Sequence, residues 1–212
     1  VAAIGSTNLL RLVAYTSISH FGFMVLGIYT FTTVGISGSI FYMLNHGFST
    51  AALFLVVGFL INRRGSAQVA DFGGVQKVAP VLAGVFLMAG LSGLALPGMS
   101  SFVSEFMVMA GAWARQPWPA AVAALGTVLA AVYILLMYQR TMTGPVSEAT
   151  AAHFTSDLNV REKWVAAPLL AIILLLGFVP GIALDAINPT AAATMSQMRV
   201  SDPAAPFGEE GK

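Results

Sequence analysis

Cysteine is missing from all 212 residues, which excludes disulfides, thiolate zinc sites and cysteine-ligated iron–sulfur clusters on this chain. Charge is scarce as well. Only 9% of the residues are Asp, Glu, Lys or Arg, against about 25% in an average soluble domain. Ten basic and nine acidic side chains are too few to cover a globule of this size in water. The net charge of +1 offers no basic face for phosphates. Neither a GxGxxG nor a GxxxxGK[ST] fingerprint is present. A soluble enzyme, a disordered chain and a nucleic-acid binder are thereby excluded. Residue 1 is Val, and no signal peptide with a basic start and a cleavage site follows. The expectation is the C-terminal part of something longer.

What is present is apolar sequence in long blocks. No charged residue occurs over 12–62, 78–104, 106–114, 116–139 or 164–184, and charge-free runs beyond about 18 residues read as membrane spans. The run 12–62 would be about 76 Å as one helix, against a hydrocarbon core of roughly 30 Å. It must turn, and the small and β-branched residues Thr32, Thr33, Gly35, Ser37 and Gly38 mark the place. That gives spans at about 11–31 and 39–61. The run 80–114 is again too long for one straight span. Its strong breaker is Leu96-Pro97-Gly98, since proline donates no hydrogen bond and clashes one turn back. It reads as a broken helix, 80–96 then 99–114. Further spans follow at about 118–139 and 164–184, the last with a kink at Pro180-Gly181. The fold class expected is all-α: a polytopic membrane helix bundle of about five spans, one of them broken. The membrane domain covers 1–188, and 189–212 reads as a poorly ordered tail rich in Ala, Ser, Pro and Gly.

Alternating the spans puts Arg11, Arg63, Arg64, Lys77, Arg140, Arg161 and Lys163 on one side and Arg115, Arg199 and Lys212 on the other. This positive-inside bias predicts a non-cytoplasmic C-terminal tail. Trp113, Trp118 and Trp164 all fall at span ends, as an aromatic belt requires.

Eight of nine carboxylates lie in loops or the tail; Glu105 alone sits inside an apolar span. A charged side chain in a membrane is costly, and its default reading is functional. Glu105 lies about two turns past Pro97-Gly98, and interrupted backbone at that depth is tolerated only where it faces protein or a water-filled cavity. A carboxyl held between desolvation and hydration can take and release a proton. The plainer alternative is a helix-pairing role. His20 and His46 lie in the two preceding spans, His20 with Ser17 and Ser19 nearby and His46 after Asn45. Imidazole both donates and accepts, so the two histidines with Glu105 suggest a proton relay. Either histidine alone is as well explained by a bond to a carbonyl. Two histidines and a carboxylate are also an iron or zinc donor set, but no HxxxH or ExxH spacing occurs, so no metal is expected. The ten methionines and Gly22, Gly27, Gly84, Gly90 and Gly93 read as helix packing. His153 lies in a loop.

The stretches Arg11-Leu-Val-Ala-Tyr-Thr-Ser-Ile-Ser-His20-Phe-Gly22, Asn45-His46-Gly47 with Ala52-Leu53-Phe54, and Leu96-Pro97-Gly98 followed by Phe102-Val-Ser-Glu105-Phe106 resemble the antiporter-like subunits of respiratory complex I. Asp157-Leu-Asn-Val-Arg161-Glu162 and the Gly177-Phe-Val-Pro180 ending fit the same pattern, so the resemblance covers nearly all of 8–188. Glu at 105, where two branches carry Lys, and His at 20 favour the branch called subunit M, or chain 4 in mitochondria. One departure is the family's Asp-x-Lys-Arg entrance, which reads Asn8-Leu9-Leu10-Arg11 here.

The resemblance implies a second inverted repeat plus a trailing helix, conducting protons through a half-channel. It makes Glu105 the terminal titratable group, with His20 and His46 on the same hydrated axis, and Ser17, Ser19, Asn45, Pro97 and Gly98 lining it or breaking the helix. It implies a subunit of a translocase with no redox active site of its own. FMN, iron–sulfur clusters and quinone belong on other subunits. Partners would be L-like and N-like antiporter subunits and the lipid bilayer, without nucleic acid, in the bacterial inner membrane. Multisubunit sodium/proton antiporters and membrane-bound hydrogenases share the pattern and are the alternative. A structural scaffold, or a carrier of an anionic solute at the half-helix start near Gly98 to Ser101, are rivals from other classes. No Lys or Arg within the spans would partner such an anion.

Overall fold

The structure, a computed structural model, describes residues 2–204. Among these residues the chain forms nine α-helices: α1 (Leu9–Tyr29), α2 (Thr33–Arg64), α3 (Val75–Val78), α4 (Pro80–Gly93), α5 (Ser100–Arg115), α6 (Pro117–Met142), α7 (Glu148–His153), α8 (Val160–Phe178) and α9 (Gly181–Met198). Helices α1, α2 and α6 are each long and apolar enough to cross a membrane, and α8 with α9 pass together as one span bent by 66°. The fifth expected span is α4 with α5. Its halves of 14 and 16 residues are each short of the roughly 20 needed. The all-α membrane bundle read from sequence is what the chain forms.

Three boundaries differ from the sequence reading. The first turn lies at 30–32, ahead of the expected 32–38. Thr32 is the cap, its hydroxyl accepting from the Gly35 amide at 3.1 Å. Gly35 and Gly38 stay helical because they are spacers. A Cβ on Gly38 would lie 2.9 Å from the Val108 amide nitrogen, and one on Gly111 2.7 Å from Gly35 Cα. Small residues let α2 and α5 approach backbone to backbone.

The second difference is the break, which begins before Pro97. Ala95 takes a left-handed φ of 56°. Its amide bonds to the Ser92 carbonyl at 3.2 Å, and the Leu96 amide to that of Leu91 at 3.1 Å. That is a Schellman ending. Leu96-Pro97-Gly98-Met99 then makes a turn closed by the Met99 amide on the Leu96 carbonyl at 2.9 Å, with Gly98 at φ 93°. Proline second and a positive-φ glycine third are the residues of a type II turn. The span is therefore broken over 94–99, by a helix cap followed by a turn.

The third difference is at the end of the chain. From 189, where a loosely ordered tail was expected, α9 runs on to Met198. Ala191 and Met195 bury against Ile36 of α2, which anchors it. Residues 205–212, also assigned to that tail, lie outside the described residues.

Polar clasps join the helix ends at both faces of the bundle. At the end holding most of the basic residues, the Leu9 amide bonds to the Ala67 carbonyl, and Asp157 caps α4 by accepting from the Val81 and Leu82 amides at 2.7 and 2.9 Å. Arg63 grips both oxygens of Glu162 at 2.8 and 2.7 Å. At the other end, Arg115 donates to the carbonyls of Thr30, Phe31 and Ser201, and Asp202 caps α2 at Thr33. The main core lies between, built from Leu53, Val56 and Leu60 of α2, Phe86 of α4, Ile134 of α6 and Ile173 of α8.

Candidate functional site

The glycine seam sets α2 against α5 and so brings Tyr42 and Asn45 to Ser104 and Glu105. Glu105 is buried, 4% exposed. Both of its oxygens accept from hydroxyls: Oε2 from Tyr42 at 2.9 Å and Oε1 from Thr127 of α6 at 2.5 Å. No cation pairs with it; among the described residues the one Lys or Arg ion pair is Arg63–Glu162. A cleft of about 340 Å³ between α5, α6 and the break is lined by Leu94 to Pro97, Phe102, Glu105 and Thr127. The acid thus sits beside the interruption, and Thr127, the partner of its Oε1, lines the same cleft.

His20 and His46 are brought together, with Nδ1 to Nδ1 at 3.1 Å. His20 Nε2 lies 3.0 Å from the carbonyl of Gly93, the last residue of α4. A carbonyl only accepts, so in the neutral pair His20 carries its hydrogen on Nε2 and accepts at Nδ1, and His46 donates from Nδ1. Thr50 Oγ1 lies 3.1 Å from the same His46 nitrogen. The neutral pair therefore holds one proton between its Nδ1 atoms and touches the first half of the broken span. Glu105 is not bonded to either histidine. Tyr42 stands between, its ring centroid 5.7 Å from that of His20. The metal alternative does not fit: no group of three His, Asp or Glu side chains converges among the described residues.

The remaining expected site residues divide. Asn45 is fully buried; its amide donates to the Ser100 carbonyl at 2.9 Å and to the Ser104 hydroxyl at 3.2 Å, tying α2 to the start of α5. Pro97 and Gly98 form the turn described above. Ser17 and Ser19 are half-buried, and neither is a partner of His20, whose two nitrogens are taken by His46 and Gly93. His153 ends α7 and is exposed. Sequence reasoning missed Tyr42, Thr127 and Thr50. Their spacing held one usable signal: Tyr42 is three and four residues ahead of Asn45 and His46, hence on a neighbouring face of the same helix.

An interrupted membrane span with a buried, cation-free acid beside it is an arrangement that ion-translocating membrane proteins use. Comparison makes this specific. Residues 1–132 match the family described as NADH:quinone oxidoreductase/Mrp antiporter, transmembrane, and the chain belongs to that family. It is 53% identical over 204 residues to NADH-quinone oxidoreductase subunit M of Mycobacterium tuberculosis, covering 96% of this chain and 36% of that protein. It superposes on a chain of Thermus thermophilus respiratory complex I with a TM-score of 0.85 and 31% identity, covering 92% of this chain and 41% of that one. A chain of the Mrp complex from a Dietzia species shares the fold, with a TM-score of 0.80 at 22% identity, covering 91% of this chain and 44% of that one. The chain thus spans little more than a third of the length of the Mycobacterium tuberculosis relative.

Proposed function

We propose that this chain is the C-terminal part of subunit M of a proton-translocating NADH:quinone oxidoreductase, and that it conducts protons through a half-channel. The observation that carries the reading is the pairing of a buried acid with hydroxyls alone beside a broken span, in a chain of this family. Glu105 exchanges the proton. The His20–His46 pair holds it on the inner part of the path. Ser100 and Asn45 at the break keep buried oxygens without a protein partner, and water there would satisfy them and lengthen the path. Redox chemistry, with FMN, iron–sulfur clusters and quinone, takes place on other subunits, and this chain does none. L-like and N-like subunits adjoin it in a bacterial inner membrane, with the C-terminal residues on the non-cytoplasmic side. Moving each charge costs about 2.3 kcal/mol per 100 mV, which electron transfer elsewhere supplies.

The test is Glu105→Gln in the whole complex, which keeps the shape and removes the titration. The expected outcome is lost NADH-driven acidification of membrane vesicles with the complex fully assembled; full pumping by the variant would remove Glu105 from the mechanism. A cation/proton exchanger is the second reading, favoured by the fold shared with the Mrp complex. It requires sodium-dependent transport without NADH or quinone.

A further inference from the structure

Resting on the reading of Glu105 as the proton-exchanging acid, we propose that Tyr42 is a positioning residue that divides the carboxyl between two sides of the path. Three observations carry this. First, the two oxygens of Glu105 face different surroundings: Oε2 meets the Tyr42 hydroxyl at 2.9 Å, and Oε1 meets Thr127, which lines the cleft. Second, Tyr42 is 1% exposed and its ring is fixed on both sides, 5.7 Å from His20 and 6.1 Å from Phe23 by centroid. Third, neither histidine is bonded to Glu105: His20 meets His46 and the Gly93 carbonyl, and His46 meets His20 and Thr50. The inner approach to the acid passes the Tyr42 hydroxyl.

A hydroxyl can donate and accept at once. A proton reaching Tyr42 Oη from the interior is balanced by the Tyr42 proton leaving to Glu105 Oε2, so the phenol stays neutral. The carboxyl then turns by half, so that the protonated oxygen meets Thr127 and releases its proton into the cleft, while the carbonyl oxygen accepts from the Tyr42 hydroxyl. Between turns Tyr42 holds the oxygen that faces inward, and Thr127 the one that faces out. An acid free to swing between both sides would let protons slip back.

The test uses Tyr42→Phe in the whole complex, because the ring and its packing remain. Redox-triggered infrared difference spectra of membranes report the C=O stretch of protonated Glu105, identified by its loss in Glu105→Gln. Removing a hydrogen bond to that carbonyl moves the band upward. We expect this upward shift in Tyr42→Phe, with pumping slowed roughly tenfold, the scale of one lost bond to an ionisable group, and assembly unchanged. An unmoved band overturns the proposal, as does wild-type pumping by Tyr42→Phe. Should that variant fail to assemble, ring-deuterated tyrosine in the otherwise unaltered complex gives a second reading. A tyrosine signal that accompanies the Glu105 band and vanishes in Glu105→Gln supports the proposal; no such signal overturns it. Absence of any Glu105 band would count against the acid itself, and so is distinguishable.

Discussion

Two buried carboxylates in one bundle have opposite company. Glu162, at the start of α8, is gripped through both oxygens by Arg63 and accepts from the Asn159 amide as part of a capping box. Glu105, mid-span in α5, has two neutral hydroxyls and no cation. The first acid has its charge matched, so ionisation is part of the architecture and the side chain acts as a staple. The second is hydrogen-bonded but not neutralised, as the proposed proton exchange requires. On the proposed reading, burial does not by itself mark the proton-exchanging acid; the absence of a matched cation does.

That contrast can be broken from either side. The largest effect is expected from Thr127→Lys, which sets an ammonium beside Oε1 with the cleft to accommodate it and makes Glu105 resemble Glu162. Vesicle acidification should fall to the level of Glu105→Gln although the acid is intact; retained pumping would mean that pairing is not what separates the two acids. Next comes Gly177→Ala. A Cβ there would run into the Gly98 carbonyl, so the turn at the break must shift, at a cost of roughly 3 kcal/mol for overpacking. Lower thermal stability and slower pumping should appear together. The smallest effect is that of Glu162→Gln. It removes the matched charge at the end of the bundle and should cost about 2 kcal/mol, less than an interior pair would. Thermal unfolding should show the loss, and pumping per assembled complex should stay within about twofold, because a staple carries no proton.

The same contrast explains what was legible in the sequence. Glu105 stood out because an acid in a charge-free run has no cheap explanation, and the broken span followed from Pro97. The site's other halves were silent. Tyr42 and Thr127 belong to residue types common in apolar helices, and only the approach of α2 and α6 to α5 makes them ligands of the acid. The left-handed Ala95 was not readable, since alanine carries no preference for that conformation; it is held by the turn after it. Gly35 and Gly38 looked like a loop and are helix spacers, because small residues serve both purposes. The composition of 189–198 resembled a tail, yet the burial of Ala191 and Met195 on Ile36 keeps it helical. Conversely, Asp157, Asn159 and Glu162, read only as part of a family pattern, turn out to cap α4 and α8 and to hold Arg63.

The most direct measurement compares redox-triggered infrared difference spectra of the intact complex, of Glu105→Gln and of Glu162→Gln, in the region of protonated carboxyl groups. A carboxyl band present in the intact complex and in Glu162→Gln, and lost in Glu105→Gln, is the result expected of an acid that gains and loses a proton during turnover. A band unchanged by Glu105→Gln, or none at all, would contradict it.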